Sequence, residues 1–155
     1  MTEWSPTQYL QFEKQRTQPA IDLAARVADR SVRAAVDVGC GPGNSTAVLR
    51  RVFPKASLLG VDLSPEMVEK AANRYPDIPF RVCDAAALTG QYDLVFSNAC
   101  LQWIPHHDSL IPKLMERLTD GGVLAVQMPM NEAEPLYRII REVTAEAKWG
   151  FQNVR

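Results

Sequence analysis

The sequence predicts an α/β domain in which a parallel sheet of about five strands carries helices on both faces. Three observations lead there. Short apolar runs alternate with helical patterns along the chain; the runs are almost continuously apolar, as strands covered on both faces must be; and the first run opens into a glycine-rich turn ahead of a helix. In such sheets ligands bind beyond the carboxyl ends of the strands, where the strand order reverses. The chemistry is therefore expected just after each strand.

After a segment from Trp4 to Arg16, Pro19 sits where a first helical turn tolerates proline, and Ile21, Ala24, Ala25 and Ala28 follow at helical spacing. Ala34 to Val38 reads as a buried strand ending in glycines. The next helix starts near Gly43, repeats Val48/Val52 and Leu49/Phe53 four apart, and stops at Pro54. A second strand spans Ser57 to Asp62. Ser64 as N-cap, Pro65 in the first turn and Glu66 beside the helix dipole open a helix with Met67, Ala71 and Tyr75 on one face. Phe80 to Cys83 and Tyr92 to Ser97 are the third and fourth strands. Asp108 is placed to cap a helix carrying Leu110, Leu114 and Leu118, which ends at Asp120-Gly121-Gly122. Val123 to Met128 is the fifth strand, and Glu134 to Trp149 a last helix with Leu136, Ile139, Ile140, Val143 and Ala147 on one stripe.

Composition narrows the function. In 155 residues, 46% are hydrophobic and 23% charged, with a net charge of -1, which fits one folded globular domain and excludes a disordered chain. A chain of this length buries roughly 68–70% of its unfolded surface, enough for one core. The 17 basic residues are scattered, so nucleic acid is not expected as a partner. No apolar run is long enough to span a membrane, and Met1 to Trp4 lacks the start of a signal peptide, so a cytoplasmic protein is expected. Cys40, Cys83 and Cys100 show no disulfide or zinc spacing and read as reduced packing thiols. No metal is expected.

The strongest local signal is Asp37-Val38-Gly39-Cys40-Gly41-Pro42-Gly43-Asn44 between the first strand and a helix. Glycines there permit positive φ and let a ligand press on bare backbone near the helix amides. A plain turn needs one glycine, not three. Asn44 stands where a dinucleotide fingerprint has its last glycine, and Asp37 sets an acid under the loop, which disfavours a pyrophosphate and suits a ligand with a cationic group. Asp62 ends the second strand about 20 residues on, where a carboxylate can accept both hydroxyls of a ribose. Asp84 follows the third strand, placed to accept from an adenine amino group.

Together the loop Asp37 to Gly43, Asp62, Asp84 and the strand Asp93-Leu94-Val95-Phe96-Ser97-Asn98 resemble the motifs of class I S-adenosylmethionine-dependent methyltransferases. The opening Trp4-Ser5-Pro6, Tyr9-Leu10 and Phe12, with Arg16 and Pro19, the exit Ser97-Asn98-Ala99, Leu101-Gln102-Trp103, and the fifth strand Gly122 to Pro129 resemble the trans-aconitate 2-methyltransferases in particular. The resemblance spans essentially the whole chain. It implies a Rossmann-like sheet and S-adenosylmethionine as cofactor, with Gly39, Gly41 and Gly43 along its methionine and ribose side. Asp62 takes the ribose, Asp84 and Ala85 the adenine edge, and the Asn98 backbone the methionine amine. Tyr9, Phe12 and Arg16 close the site from the N-terminal side, Arg16 toward the cofactor carboxylate, and Trp103 walls the methyl-transfer side.

The implied reaction is methyl transfer to a carboxylate of a small organic acid such as trans-aconitate, giving a monomethyl ester. A carboxylate, with a reference pKa of about 4, is already ionised at neutral pH, so no catalytic base is needed. His106 and His107 then read as a polar turn before a helix. Two other readings stand beside this one: a cofactor-binding module without turnover, and a nucleotide-dependent oxidoreductase, against which Asn44 and Asp37 both argue.

The class also carries two further strands after the fifth. Without them Val123 to Met128 would be an open apolar edge, so either a C-terminally truncated domain spanning 1–155 or a homo-oligomer covering that edge is expected.

Overall fold

The computed structural model describes residues 13–130 and 134–145, and side chains from residue 17 on. Five strands form one all-parallel sheet: β1 (Ala34–Val38), β2 (Ser57–Asp62), β3 (Phe80–Val82), β4 (Tyr92–Asn98) and β5 (Leu118–Gln127), in the spatial order β3-β2-β1-β4-β5. The helices are α1 (Glu13–Ala25), α2 (Asn44–Val52), α3 (Pro65–Arg74), α4 (His107–Met115) and α5 (Pro135–Thr144). No helix among the described residues is long and apolar enough to cross a membrane. This is the α/β sheet the sequence predicts, and its switch point lies between β1 and β4, from which the chain winds outward in both directions.

Alternation along the strands builds two cores. Ala35 of β1, Leu58 of β2, Leu94 and Phe96 of β4 and Ala125 of β5 face α1 and α2, packing on Ala20, Ala24, Leu49 and Phe53. Val36, Val38, Val61 and Val95 point to the other face, against Leu101, Leu110 and Leu114. Asp37 and Asn98 therefore share the α1/α2 side with their period-two neighbours. The bounds of β1 and β2 match the sequence prediction, whereas β3 ends one residue early at Val82 and β4 runs one residue further, to Asn98. The Ser64 cap of α3 forms, its hydroxyl accepting from Met67 N at 3.4 Å.

Three elements differ from expectation. α1 begins at Glu13, not at Pro19, because Glu-Lys-Gln-Arg are strong helix formers that extend it N-terminally; Pro19 sits inside and leaves the Gln15 carbonyl without its helical donor. Its buried face is Ala20 and Ala24, continued by Val27 in the turn beyond it, while Ile21 is exposed. Asp108 does not cap α4: His106 holds that position at φ 61, and Asp108 lies within the first turn. That helix also stops at Met115, so Leu118 belongs to β5. The sheet wins over the helical pattern there, since Tyr92 N donates to Arg117 O at 2.8 Å and Leu118 pairs with Tyr92. A bulge follows, in which β5 runs from Leu118 to Val123 while β4 runs from Tyr92 to Leu94. Thr119 in the bulge donates to Asp93 Oδ1 at 2.7 Å, and Asp93 Oδ2 accepts from the amides of Arg33 and Ala34 at 2.8 and 3.1 Å. One carboxylate thus ties the starts of β1, β4 and β5.

β5 borders only β4 among the described residues, and the stripe Leu136, Ile139, Ile140 and Val143 of α5 is solvent-exposed rather than packed. Ala147 and Trp149 lie outside the described residues.

Candidate functional site

The loop between β1 and α2 is folded by three left-handed glycines, Gly39 at φ 73, Gly41 at φ 53 and Gly43 at φ 89. A Cβ on Gly39 would collide with the Cys100 side chain, and one on Gly43 would lie 2.8 Å from the Tyr75 ring. At Gly41 a Cβ would meet nothing within 4 Å. Gly39 and Gly43 are therefore glycine for packing as well as for φ, whereas Gly41 presents bare backbone to an open space.

Asp37 is not a ligand-facing residue, contrary to the sequence expectation. Strand alternation turns it under the first turn of α2, where its Oδ2 accepts from Ser45 Oγ and Thr46 Oγ1, both at 2.6 Å. It is fully buried, its Oδ1 has no partner, and burial raises its pKa to about 6 despite the two hydroxyls. The acid under the loop is an internal brace for the helix start. Gly43 is likewise buried beneath Tyr75 and Phe80, away from the ligand space.

Two hollows lie at the carboxyl end of the sheet, sharing Gly39, Gly41, Pro42 and Ala99 as a common wall. The larger, about 840 Å³, brings together Asp62, Leu63, Met67, Asp84, Ala85 and Trp103. Asp62 Oδ2 accepts from Gly41 N and Oδ1 from Ser64 N, each at 2.9 Å, so this carboxylate pins the loop while each oxygen keeps a lone pair for a ligand. Asp84 Oδ1 accepts from Ala86 N at 2.8 Å, capping the short turn Ala85–Ala87. Two carboxylates facing one space beside apolar Leu63 and Met67 suit a ligand with hydroxyl and amino donors on a flat apolar body. Trp103 is 82% exposed at the rim of this larger hollow.

The smaller hollow, about 350 Å³, lies on the α1/α2 side between Thr17 and Pro19 of α1, Ser45, Asn98, Gln127 and Pro129. Asn98 and Gln127 line it, as Gln102 lines the larger hollow, and the side-chain amide oxygens of all three are buried without a hydrogen-bond partner. Ala99, between the two hollows, adopts φ 52, a strained value for alanine, and its amide donates to Gln127 O at 2.8 Å. The sequence reading missed Leu63, Met67, Gln102 and Gln127. Gln127 could have been found by the strand-end rule, being the last residue of β5.

Arg16 lies on α1 immediately before Thr17; Tyr9 and Phe12 lie outside the described residues. Neither histidine lines a hollow. His106 turns the chain, and His107 Nε2 meets Leu101 O at 2.7 Å. Burial, reinforced by nearby aspartates, pushes the Cys40 thiol up and that of Cys100 to about 11, so both stay protonated and inert at neutral pH.

Known proteins align with this arrangement. A family described as "Methyltransferase domain" matches residues 35–122. A trans-aconitate 2-methyltransferase of Methylobacterium radiotolerans is 49% identical over 152 residues, covering 97% of this chain and 58% of that protein. One of Variovorax paradoxus is 46% identical over 153 residues, covering 97% and 59%. The chain thus spans under two thirds of the length of these relatives. Among solved structures, an amino pentose methyltransferase of Micromonospora echinaspora with bound S-adenosylmethionine superposes with a TM-score of 0.68 at 21% identity, over 84% of this chain and 58% of that one. The sugar N-methyltransferase KedS8 of Streptoalloteichus gives 0.68 at 21% identity, over 83% and 55%. At that identity they show a shared fold.

Proposed function

We propose that this chain, which belongs to the methyltransferase-domain family, binds S-adenosylmethionine and serves transfer of its methyl group to a carboxylate of trans-aconitate, giving a monomethyl ester. The observation that carries the cofactor reading is the convergence of Asp62 and Asp84 on one hollow that the bare backbone at Gly41, bonded to Asp62, also lines. The acceptor is taken from the relatives bearing that activity in their names. The residues present fit the cofactor: open space at Gly41, and acceptors for a diol and an amine at Asp62 and Asp84.

When bound, S-adenosylmethionine supplies a methyl group on a positively charged sulfur that leaves as a neutral thioether. This chain's own groups bind and orient. Asp62 accepts from the ribose hydroxyls, Asp84 with Ala85 meets the adenine edge, and Asn98 holds the methionine amine through its backbone. Arg16 takes the cofactor carboxylate, while Tyr9, Phe12 and Trp103 exclude water. Asp37 and Gly43 act one layer back, holding the loop. An ionised carboxylate acceptor needs no proton removed, so no histidine is required.

The test is incubation with methyl-labelled S-adenosylmethionine and trans-aconitate, followed by mass detection of the ester. Ester formation supports the whole reading. Cofactor binding without ester reduces it to a binding module, and thermal stabilisation by NAD but not by S-adenosylmethionine overturns it. We also propose that residues 1–155 act as one cofactor-binding domain and that the β5 edge, unpaired among the described residues, pairs with a second copy; light scattering showing a monomer at micromolar concentration would remove the pairing.

A further inference from the structure

We propose that Gln102 is a positioning residue of the cleft: its side-chain amide holds Ala99 in a left-handed turn, and cofactor affinity depends on Gln102 through that turn. The proposal rests on the S-adenosylmethionine reading and adds to it a residue that acts through the backbone of the wall rather than by touching the ligand.

Ala99 follows the last residue of β4 and lines both hollows. Its φ of 52 is one that L residues rarely adopt, and alanine lacks the short polar side chain by which asparagine or aspartate offsets the cost locally. Contacts on either side dictate the turn. Ala99 N donates to Gln127 O at 2.8 Å, extending the pairing of β4 with β5 by one residue. Immediately afterwards Cys100 lies against Gly39, where even a methyl group would collide with its Sγ, and Leu101 is fully buried in the core. The chain therefore leaves the sheet and enters the core within two residues, and Ala99 is where it bends. A strained backbone of this kind persists only where its surroundings over-determine it.

The carbonyl of Ala99 is the group left to secure. Gln102, three residues on in the short turn Leu101–Trp103, donates Nε2 to Ala99 O at 2.9 Å. Chemistry fixes the orientation of this amide, since a carbonyl can accept only from its nitrogen end. Gln102 Oε1 is then buried without a partner, a cost that methionine or leucine in the same space would not incur. Glutamine is thus a poor filler here, and what it contributes is the donor to the Ala99 carbonyl. Without that bond an alanine should relax toward negative φ and move the wall that the two hollows share.

The test is a double-mutant cycle read by calorimetry with S-adenosylhomocysteine on the full chain. Gln102→Met removes the donor at nearly constant length and should weaken binding by about tenfold, equivalent to ~1.4 kcal/mol and within the range that a left-handed alanine costs. In an Ala99→Gly background the same substitution should cost only about twofold, because glycine populates either sign of φ about equally and needs no brace to stay in the required half. That rescue separates positioning from its rivals. A glutamine that touched the ligand directly would lose the same factor in both backgrounds, and one that only stabilised the fold would lose none in either. Equal losses in the two backgrounds, or wild-type affinity in Gln102→Met, overturn the proposal. Should Gln102→Met fail to fold, Gln102→Glu, of the same shape and unable as a carboxylate to donate, goes through the same cycle and is judged by the same two outcomes. A wild-type chain that binds no S-adenosylhomocysteine overturns the cofactor reading itself, and this proposal with it.

Discussion

Replacing Asp37 with asparagine tests how the glycine loop is held. The wild-type carboxyl is buried, accepts from Ser45 and Thr46 on one oxygen, and has nothing on the other. Burial disfavours the anion more than the hydroxyls favour it, so the group titrates at about 6 in the folded chain against 3.8 when exposed. That is roughly two pH units at ~1.4 kcal/mol each, so carrying the charge at neutral pH costs about 3 kcal/mol relative to the neutral acid. The sign follows from linkage. Between 3.8 and about 6 the folded state holds more protons than the unfolded one, so the contribution is fully present below 3.8 and is lost as pH rises through 6. Asparagine does not titrate. The stability of wild type minus that of Asp37→Asn, from urea unfolding, should therefore fall by about 2 kcal/mol between pH ~4 and pH ~7.5. A flat difference, or one that grows with pH, would refute the placement of Asp37 as a buried charge. Adding Ser45→Ala and Thr46→Val to the wild-type background removes the groups that favour the anion and should shift the slope to higher pH.

Gly39→Ala and Gly41→Ala separate fold from site. The first puts a methyl into Cys100 at positive φ and should cost about 2–4 kcal/mol, read as a lowered Tm. The second meets no atom within 4 Å, so it should cost only the ~1–2 kcal/mol of left-handed backbone while sharply weakening cofactor binding. Asp62→Ala should weaken cofactor binding by about 1.5–3 kcal/mol and also lower Tm, since Gly41 and Ser64 amides lose their acceptor; unchanged calorimetric affinity would displace the ribose from this residue. The Asp93 carboxyl is held below its usual range, first by the Thr119 hydroxyl and then by the Arg33 amide. Its contribution is present above the unfolded pKa of 3.8 and lost as pH falls through the lower folded value, so Asp93→Asn should flatten the acid limb of stability; an identical acid limb in both proteins would count against the tie.

Where local rules act alone, sequence and structure agree closely. The apolar runs of β1 and β2 could only be buried strands, and Ser64-Pro65-Glu66 start α3 where capping chemistry puts it. The strand-end rule also pointed to Asp62 and Asp84, which both line the larger hollow, because a parallel sheet places every strand's carboxyl end on one edge. Helical spacing failed at Leu118, continuing past the true end of α4. Pairing with Tyr92 and the Asp93 tie pulled that residue into β5, a long-range contact invisible to a local pattern.

Residue chemistry and spacing along the chain picked out the candidate binding groups: three glycines in a strand-to-helix loop, and acids at the ends of successive strands. Which way those groups point was decided only by packing. Asp37 and Asp62 look equivalent in one dimension, but strand alternation turns the first under α2, where it braces the loop as a buried charge, and leaves the second facing the larger hollow. Asn98 and Gln127 likewise come to lie side by side only because β4 and β5 pair in that register. Side-chain direction depends on neighbours far away in sequence, and only the folded sheet supplies them.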